Sequence, residues 1–189
     1  LEVGGEEPPV IFRLAERITL QMADAAARFG TLLEQHRGIV LKVASTYCRN
    51  PADRDDLAQE IAMQLWRSFP RFDSERTFST WMYRVALNVA ISFVRSRHVR
   101  ERHSVPLDTR LHDTAGASHT DAEADERTGL LYAVIDRLDP LNRALLLLYL
   151  DDRSHREIAE VLGITETNVA TKVGRLKQRL REEARDGAR

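Results

Sequence analysis

Apolar positions along this chain recur every three or four residues and nowhere alternate over any length, so the pattern predicts helices and no strands. Phe29, Leu32, Leu33, His36, Ile39, Val40, Val43 and Tyr47 keep helical spacing between Ala25 and Tyr47, with Gly38 as an expected break into two helices. Asn50 followed by Pro51 reads as an N-cap and a first-turn proline. Asp53, Asp55 and Asp56 then add negative charge where the helix dipole favours it. The helix so started is expected to run to about Phe69 and stop before Pro70, with Leu57, Ala58, Ile61, Ala62, Leu65 and Phe69 inward. Its other side carries Asp56, Gln59, Glu60 and Met63. Two readings fit that side: a solvated acidic face, or a partner surface in which an exposed methionine sits among carboxylates.

The stretch Thr77 to Arg100 combines two faces. Phe78, Met82, Val85, Val89 and Phe93 form an apolar stripe, while Arg84, Asn88 and Arg95 fall on a neighbouring flank. Arg95, Arg97, Arg100 and Arg102 accumulate at the end with His98 and His103, a cluster suited to phosphates. Trp81 lies between the faces, and Phe72 to Thr80 mixes polar residues with aromatics, as a surface that stacks unpaired bases does. A solvated basic helix end with its tryptophan in the core fits the same residues.

Between Ser104 and Arg127 the periodicity collapses into Pro, Gly, Ser, Thr and several acids, the composition of a flexible acidic linker. Its few apolar residues leave nothing in it to lock the flanking domains together. Helical spacing resumes at Leu130, Leu131, Val134, Ile135 and Leu138, and Asp139 with Pro140 repeats the cap-and-proline signal. Ser154 and Glu157 make a capping box, Ile158, Ala159 and Leu162 point inward, Gly163 closes the helix, and Thr165 caps the next one. Two short helices joined this way form a helix-turn-helix.

In the second helix Val169, Val173, Leu176 and Leu180 are expected inside. Thr167, Thr171, Gly174, Arg175 and Gln178 are expected outside, flanked by Asn168, Lys172, Lys177 and Arg179. That face mixes base-reading side chains with cations and has no acid from Thr167 to Arg181. A helical hairpin with a basic solvated face is the plainer alternative. Gly174 costs roughly 1 kcal/mol in a helix interior, which points to close approach of a backbone.

With 43% hydrophobic and 30% charged residues among 189, the chain has the composition of a globular protein, and its net charge of -1 conceals basic residues gathered near 84–102 and 172–189. The single cysteine, Cys48, sits in an apolar helical pattern and reads as a core residue, so neither a disulfide framework nor an internal Cys/His zinc site is available. No P-loop, zincin or nucleophile-elbow pattern occurs, and no cofactor is implied, so an enzyme is not expected. No apolar run reaches the roughly 20 residues of a membrane span, and a cytoplasmic protein without membrane insertion is expected. Residues 1–21 precede a natural start at Met22 and are read as a disordered extension.

The three segments in this order resemble the extracytoplasmic-function sigma factors, from about Phe29 to Glu182. DDLAQEIAMQLW resembles the family's polymerase-binding segment, FSTWMYRVALNVAISFVRSR its promoter-melting helix, and REIAEVLGITETNVATKVGRLKQRL its minus-thirty-five helix-turn-helix. The resemblance implies an all-α chain with a region 2 domain over 22–103, a linker over 104–126 and a region 4 domain over 127–185. It implies core RNA polymerase as partner, met by Asp56, Gln59, Glu60 and Met63 through the coiled coil of its largest subunit. It implies promoter DNA as the other partner: Trp81, Arg84, Asn88, Arg95 and Arg97 on the minus-ten region, with a non-template base held by the Phe72–Thr80 loop. Thr167, Asn168, Thr171, Lys172, Arg175, Lys177 and Arg179 would read the minus-thirty-five duplex. It further implies control in trans by an anti-sigma factor, since no sensing domain follows Glu182. Leu87, Ser92, Ala170 and Gly174 depart from the family pattern, where charged or bulkier residues are common. A dimeric helix-turn-helix regulator acting on duplex DNA is the competing reading, and it would need a sensing pocket in place of an aromatic, basic helix.

Overall fold

A computed structural model of the chain describes residues 10–103 and 135–186, and among these every regular element is helical. Three helices come first: α1 (Val10–Tyr47), α2 (Pro51–Ser68) and, after a 3-10 turn at Phe69–Arg71, α3 (Phe78–His103). Three follow the linker: α4 (Pro140–Leu150), α5 (His155–Leu162) and α6 (Glu166–Asp186). The linker residues 104–126, and the apolar positions Leu130, Leu131 and Val134, lie outside the described residues.

Two expectations about the first helix are corrected. Residues 10–21 are helical, not a disordered extension, and α1 runs unbroken through Gly38. The segment VIFRLAERITLQM has no proline or glycine and is rich in good helix formers, so the helix that begins in the core extends outward by propensity. Gly38 costs about 1 kcal/mol in a helix, but the adjacent Ile39, Val40 and Val43 are buried and hold the helix through it.

The second helix starts as its sequence indicates, with Asn50 Oδ1 accepting from the Ala52 amide at 2.8 Å. Its inward side is Leu57, Ile61 and Leu65, all fully buried, with Cys48 in the same core. Burial pushes the Cys48 thiol up, with the Asp53 charge adding to it, as suits an inert core residue.

α3 departs most from its predicted stripe. Phe78 and Met82 are buried as expected, but Val85, Val89 and Phe93 are only half-buried, and Ser79, Tyr83, Ala86, Leu87 and Ala90 are buried on a second side. At 100° per residue these positions cover about 200° of the helix, twice the stripe of a helix packed on one core. The cause is tertiary. α3 packs on α1 and α2 with one side and on α4 and α5 with the other, so a single apolar cluster runs through both helical groups.

The linker was expected to leave the two groups unlocked; their own faces dock instead, along a polar seam. Tyr83 Oη donates to Asp151 Oδ2 at 3.0 Å, Lys42 pairs with the same carboxylate, and Arg153 Nη1 donates to Ser79 Oγ at 3.2 Å while its guanidinium lies 5.2 Å from the Tyr83 ring centroid. Along the same seam Tyr47 Oη donates to the Pro140 carbonyl at 2.6 Å, Arg49 forks onto Asp136 at 3.0 and 3.1 Å, and Arg76 Nη1 reaches Glu160 Oε1 at 2.9 Å. Asp151 and Arg153 are aimed by the end of α4. The Asp152 amide bonds to the Tyr149 carbonyl and the Arg153 amide to the Leu148 carbonyl, a Schellman closure in which Asp152 takes the left-handed conformation at φ 54°.

Burial raises the Asp151 carboxyl, but the hydrogen bonds from Lys42 and Tyr83, the Lys42 charge and the Arg153 bond outweigh it and hold it below the usual aspartate range. A folded-state value below the unfolded one stabilises the fold above the unfolded value, and that contribution disappears as pH falls through the folded one. Asp151→Asn should therefore lower the melting temperature at neutral pH, and the gap to the parent should close as the pH is taken below about 4. Thermal melts followed by circular dichroism across pH check this; a gap independent of pH would remove Asp151 ionisation from the seam.

Candidate nucleic-acid interface

The loop before α3 is shaped by its own residues. Asp73 Oδ1 accepts from the Glu75 amide at 3.0 Å, and its carbonyl accepts from the Arg76 amide at 3.0 Å, an Asx-type turn that ends one residue before the helix. The turn gathers aromatic rings. Trp81 lies 5.0 Å from Phe72, 5.3 Å from Phe78 and 6.4 Å from Phe69, centroid to centroid, and is half-buried. Beside this cluster is an open cavity of about 460 Å³ walled by Phe72 and Phe78 and ringed by Arg28, Thr31, Gln35, Ser74 and Arg76. Two apolar ring walls with polar groups at the rim suit a planar, hydrogen-bonding group.

From the same helix Arg84, Asn88 and Arg95 emerge exposed, on the arc that neither core uses. Arg97 does not join them as a free cation, because it pairs with Asp53 of α2. Leu87 is fully buried, which explains why no charge stands there, whereas Ser92 is exposed. The side chains of His98, Arg100, Arg102 and His103 lie outside the described residues.

The helix-turn-helix is built as its caps require. Glu157 accepts from the Ser154 amide at 2.9 Å, and the Glu157 amide donates to Ser154 Oγ at 3.2 Å. The Ser154 backbone and hydroxyl hold the Glu157 carboxyl below the usual glutamate range, Arg153 contributing further. Gly163 closes α5 at φ 66°, and Thr165 Oγ1 accepts from the Asn168 amide at 3.2 Å to open α6.

Val169, Val173 and Leu176 are buried, while Thr167, Asn168, Thr171, Arg175 and Arg179 are exposed. Lys172, Arg175 and Arg179 line one shallow cavity of about 170 Å³ with Asn142 and Leu176. Lys177 lies 4.4 Å from the Tyr149 ring centroid, so its ammonium sits over that face. No protein backbone approaches Gly174: a Cβ there would meet nothing within 4 Å, and the close approach expected from its sequence is not made within this chain.

On α2, Asp56, Gln59, Glu60 and Met63 are all exposed, and the sequence reading missed their neighbour Trp66. It follows Met63 by three residues and so shares its side of the helix, which was the available signal. The reading also missed Arg28 and Gln35, which reach the aromatic cavity only because α1 crosses behind the loop.

Comparison with known proteins places these features in a family. Residues 32–100 match Sigma-70 region 2, and residues 128–180 match Sigma-70, region 4. Sigma factor SigW of Bacillus subtilis is 26% identical over 171 residues, covering 84% of this chain and 89% of that protein. Sigma factor SigZ of the same organism is 30% identical over 131 residues, covering 67% and 72%. The solved structure of CnrH with the cytosolic domain of CnrY has the same fold, with a TM-score of 0.61 at 22% identity over 85% of this chain and 92% of that one.

The chain belongs to the sigma-70 family of RNA polymerase sigma factors, in its extracytoplasmic-function branch. It is an alternative sigma factor that binds core RNA polymerase and directs promoter-specific initiation, a family of initiation factors generally without catalysis of their own. No helix among the described residues is long and apolar enough to cross a membrane.

Because the capping box satisfies two backbone donors at the start of the helix-turn-helix, Ser154→Ala should destabilise the chain by about 1 kcal/mol. Urea unfolding measures it, and an unchanged midpoint would show that water replaces the cap at no cost.

Proposed function

We propose that three outward faces of this sigma factor divide its work. Asp56, Gln59, Glu60 and Met63, extended by Trp66, form the surface for core polymerase, where an apolar centre with an acidic rim suits a basic helical partner. Trp81, Arg84, Asn88 and Arg95, with the cavity beside Phe72 and Phe78, hold the melted minus-ten strand, and Arg97 supports them from its pair with Asp53. Thr167, Asn168, Thr171, Lys172, Arg175 and Arg179 read the minus-thirty-five duplex, with Lys177 beside them over Tyr149.

The carrying observation is that the aromatic cluster, seated on the core through Phe69 and Phe78, also opens onto a cavity walled by Phe72 and Phe78, a feature that duplex DNA does not need. That also weighs against a dimeric regulator of duplex DNA. The working units are residues 22–103 and 127–185, the protein acts in the cytoplasm, and it performs no catalysis. Two sigma factors of this fold were solved in complexes, CnrH with the cytosolic domain of CnrY and RpoE of Bartonella quintana with the anti-sigma factor NepR, and the second supports an anti-sigma partner here.

Reversing Asp56 and Glu60 to lysine should weaken core-polymerase binding, read by co-purification, with helical circular dichroism unchanged. Parental binding by both variants would move the interface elsewhere on the chain.

The division between strand capture and duplex reading is tested on holoenzymes with a duplex promoter and one carrying a preformed minus-ten bubble. Arg84→Ala and Asn88→Ala should lose open-complex formation on the duplex and retain upstream binding. Arg175→Ala should do the reverse and relax one upstream base pair by roughly 1–3 kcal/mol. Trp81→Ala, once shown to melt near the parental temperature, should lose about 1–3 kcal/mol of single-strand affinity. Parallel loss of both activities in every variant would end this assignment.

A further inference from the structure

The cavity beside the aromatic cluster has a wall that neither the loop nor α3 supplies. Arg28, Thr31 and Gln35 of α1 line it together with Phe72 and Phe78. A spacing of seven residues sets Arg28 and Gln35 on one face of α1, two turns and about 10 Å apart. Neighbouring rings fix which end each occupies. Phe29, next to Arg28, packs against Phe69 at 5.2 Å, and Phe69 stacks on Phe72 at 6.2 Å. His36, next to Gln35, lies 5.3 Å from the Phe78 ring. Arg28 therefore marks the Phe72 end of the cavity and Gln35 the Phe78 end. The two wall rings stand at 88° with centroids 5.3 Å apart, so a planar base stacked on one meets the other at a right angle.

The polar groups of the lining differ in whether they are already engaged. Arg76 pairs with Glu160 at 2.9 Å, and the Thr31 hydroxyl donates to the Ala27 carbonyl at 3.0 Å. Arg28 and Gln35 are exposed and make no hydrogen bond or ion pair among the described residues. Their donors are uncommitted. A nucleotide entering the cavity brings a phosphate, and with Arg76 engaged, Arg28 is the cation of the lining left to meet it. That leaves Gln35 for the base. Its carboxamide presents one donor and one acceptor side by side, the complement of adenine N7 and N6, whereas guanine shows two acceptors on that edge and the pyrimidines have no N7.

We propose that α1 sets the base preference of strand capture: Gln35 selects an adenine seated between Phe72 and Phe78, and Arg28 holds the phosphate of that nucleotide. This rests on the assignment of the cavity to melted minus-ten DNA and adds to it a reading residue outside the loop and α3. The rings supply stacking, which any base accepts, and the discrimination comes from the helix behind them.

The test uses holoenzyme on a promoter whose preformed minus-ten bubble carries a randomised non-template strand, with the retained strands sequenced. The parent should enrich adenine at one bubble position by at least about fivefold, and Gln35→Leu should bring that position to within about twofold of no preference while leaving the others unchanged. A parent without an adenine position, or a Gln35→Leu variant that keeps it, overturns the role of Gln35. Arg28→Ala should weaken all strands alike and make the slope of log affinity against log salt concentration shallower by about 0.7, the share of one phosphate on a single strand. Arg37→Ala, which removes an equal charge from the exposed pair with Glu34 on the same helix, should leave that slope as it is. An unchanged slope in Arg28→Ala, or the loss there of one base preference, overturns the phosphate contact.

Phe72→Leu separates this inference from the reading beneath it, because it keeps apolar bulk and removes the stacking plane. Each variant is compared once its thermal melt by circular dichroism matches the parent's. Phe72→Leu should lower affinity for the bubble template by about fivefold. If it does so while Gln35→Leu and Arg28→Ala behave as the parent, the cavity holds DNA and α1 does not read it. Parental binding by Phe72→Leu takes the strand out of the cavity, and both the reading and this inference fall with it.

Discussion

The structure depends on α3 being buried on two sides at once. Beside the stripe that carries Phe78 and Met82, Ser79 and Tyr83 are buried as well, and they meet the second helical group through Arg153 and Asp151. What remains exposed is the opposite arc, and Arg84, Asn88 and Arg95 fall within it. The aromatic loop sits at the start of the same helix, where Phe72, Phe78 and Trp81 cluster against Phe69.

Where the second group is attached, polar chemistry is added to the apolar contact that runs through both groups. Each core is built from aliphatic side chains that exclude water, such as Leu57, Ile61 and Leu65 in one and Leu145, Leu148 and Ile158 in the other. The seam adds tyrosine hydroxyls, carboxylates and guanidinium groups, and Asp151 collects Lys42, Tyr83 and Arg153 around one carboxylate. Such a cluster specifies one docking geometry strongly and contributes modest net stability, since desolvation offsets much of the charge attraction. The left-handed Asp152 is part of the same device, because the closure of α4 turns Asp151 and Arg153 toward α1 and α3.

Legibility of the interface followed the range of the interactions. The helix-turn-helix was read almost residue by residue, since the Ser154–Glu157 box, Gly163 and Thr165 act within a few positions of themselves. The exposed flank of α3 and the acidic side of α2 followed from periodicity in the same way. The pairing of Arg97 with Asp53 was not legible, because the two are 44 residues apart. For Gly174, nothing within this chain approaches the position where a Cβ would stand.

Sequence alone determined the class of the protein through the resemblance of its three motifs to a known family, and its described helices in outline, their caps and the residue types on each outer face, because helix periodicity and capping are properties of neighbouring positions. It did not determine the length of α1, which begins as far back as Val10. Only the tertiary structure decided that α3 is shared between two groups, that Arg28 and Gln35 complete the aromatic cavity, and that Glu160 occupies Arg76. Each of those joins residues more than 35 positions apart, and at that distance a side chain's partner is set by how whole helices pack.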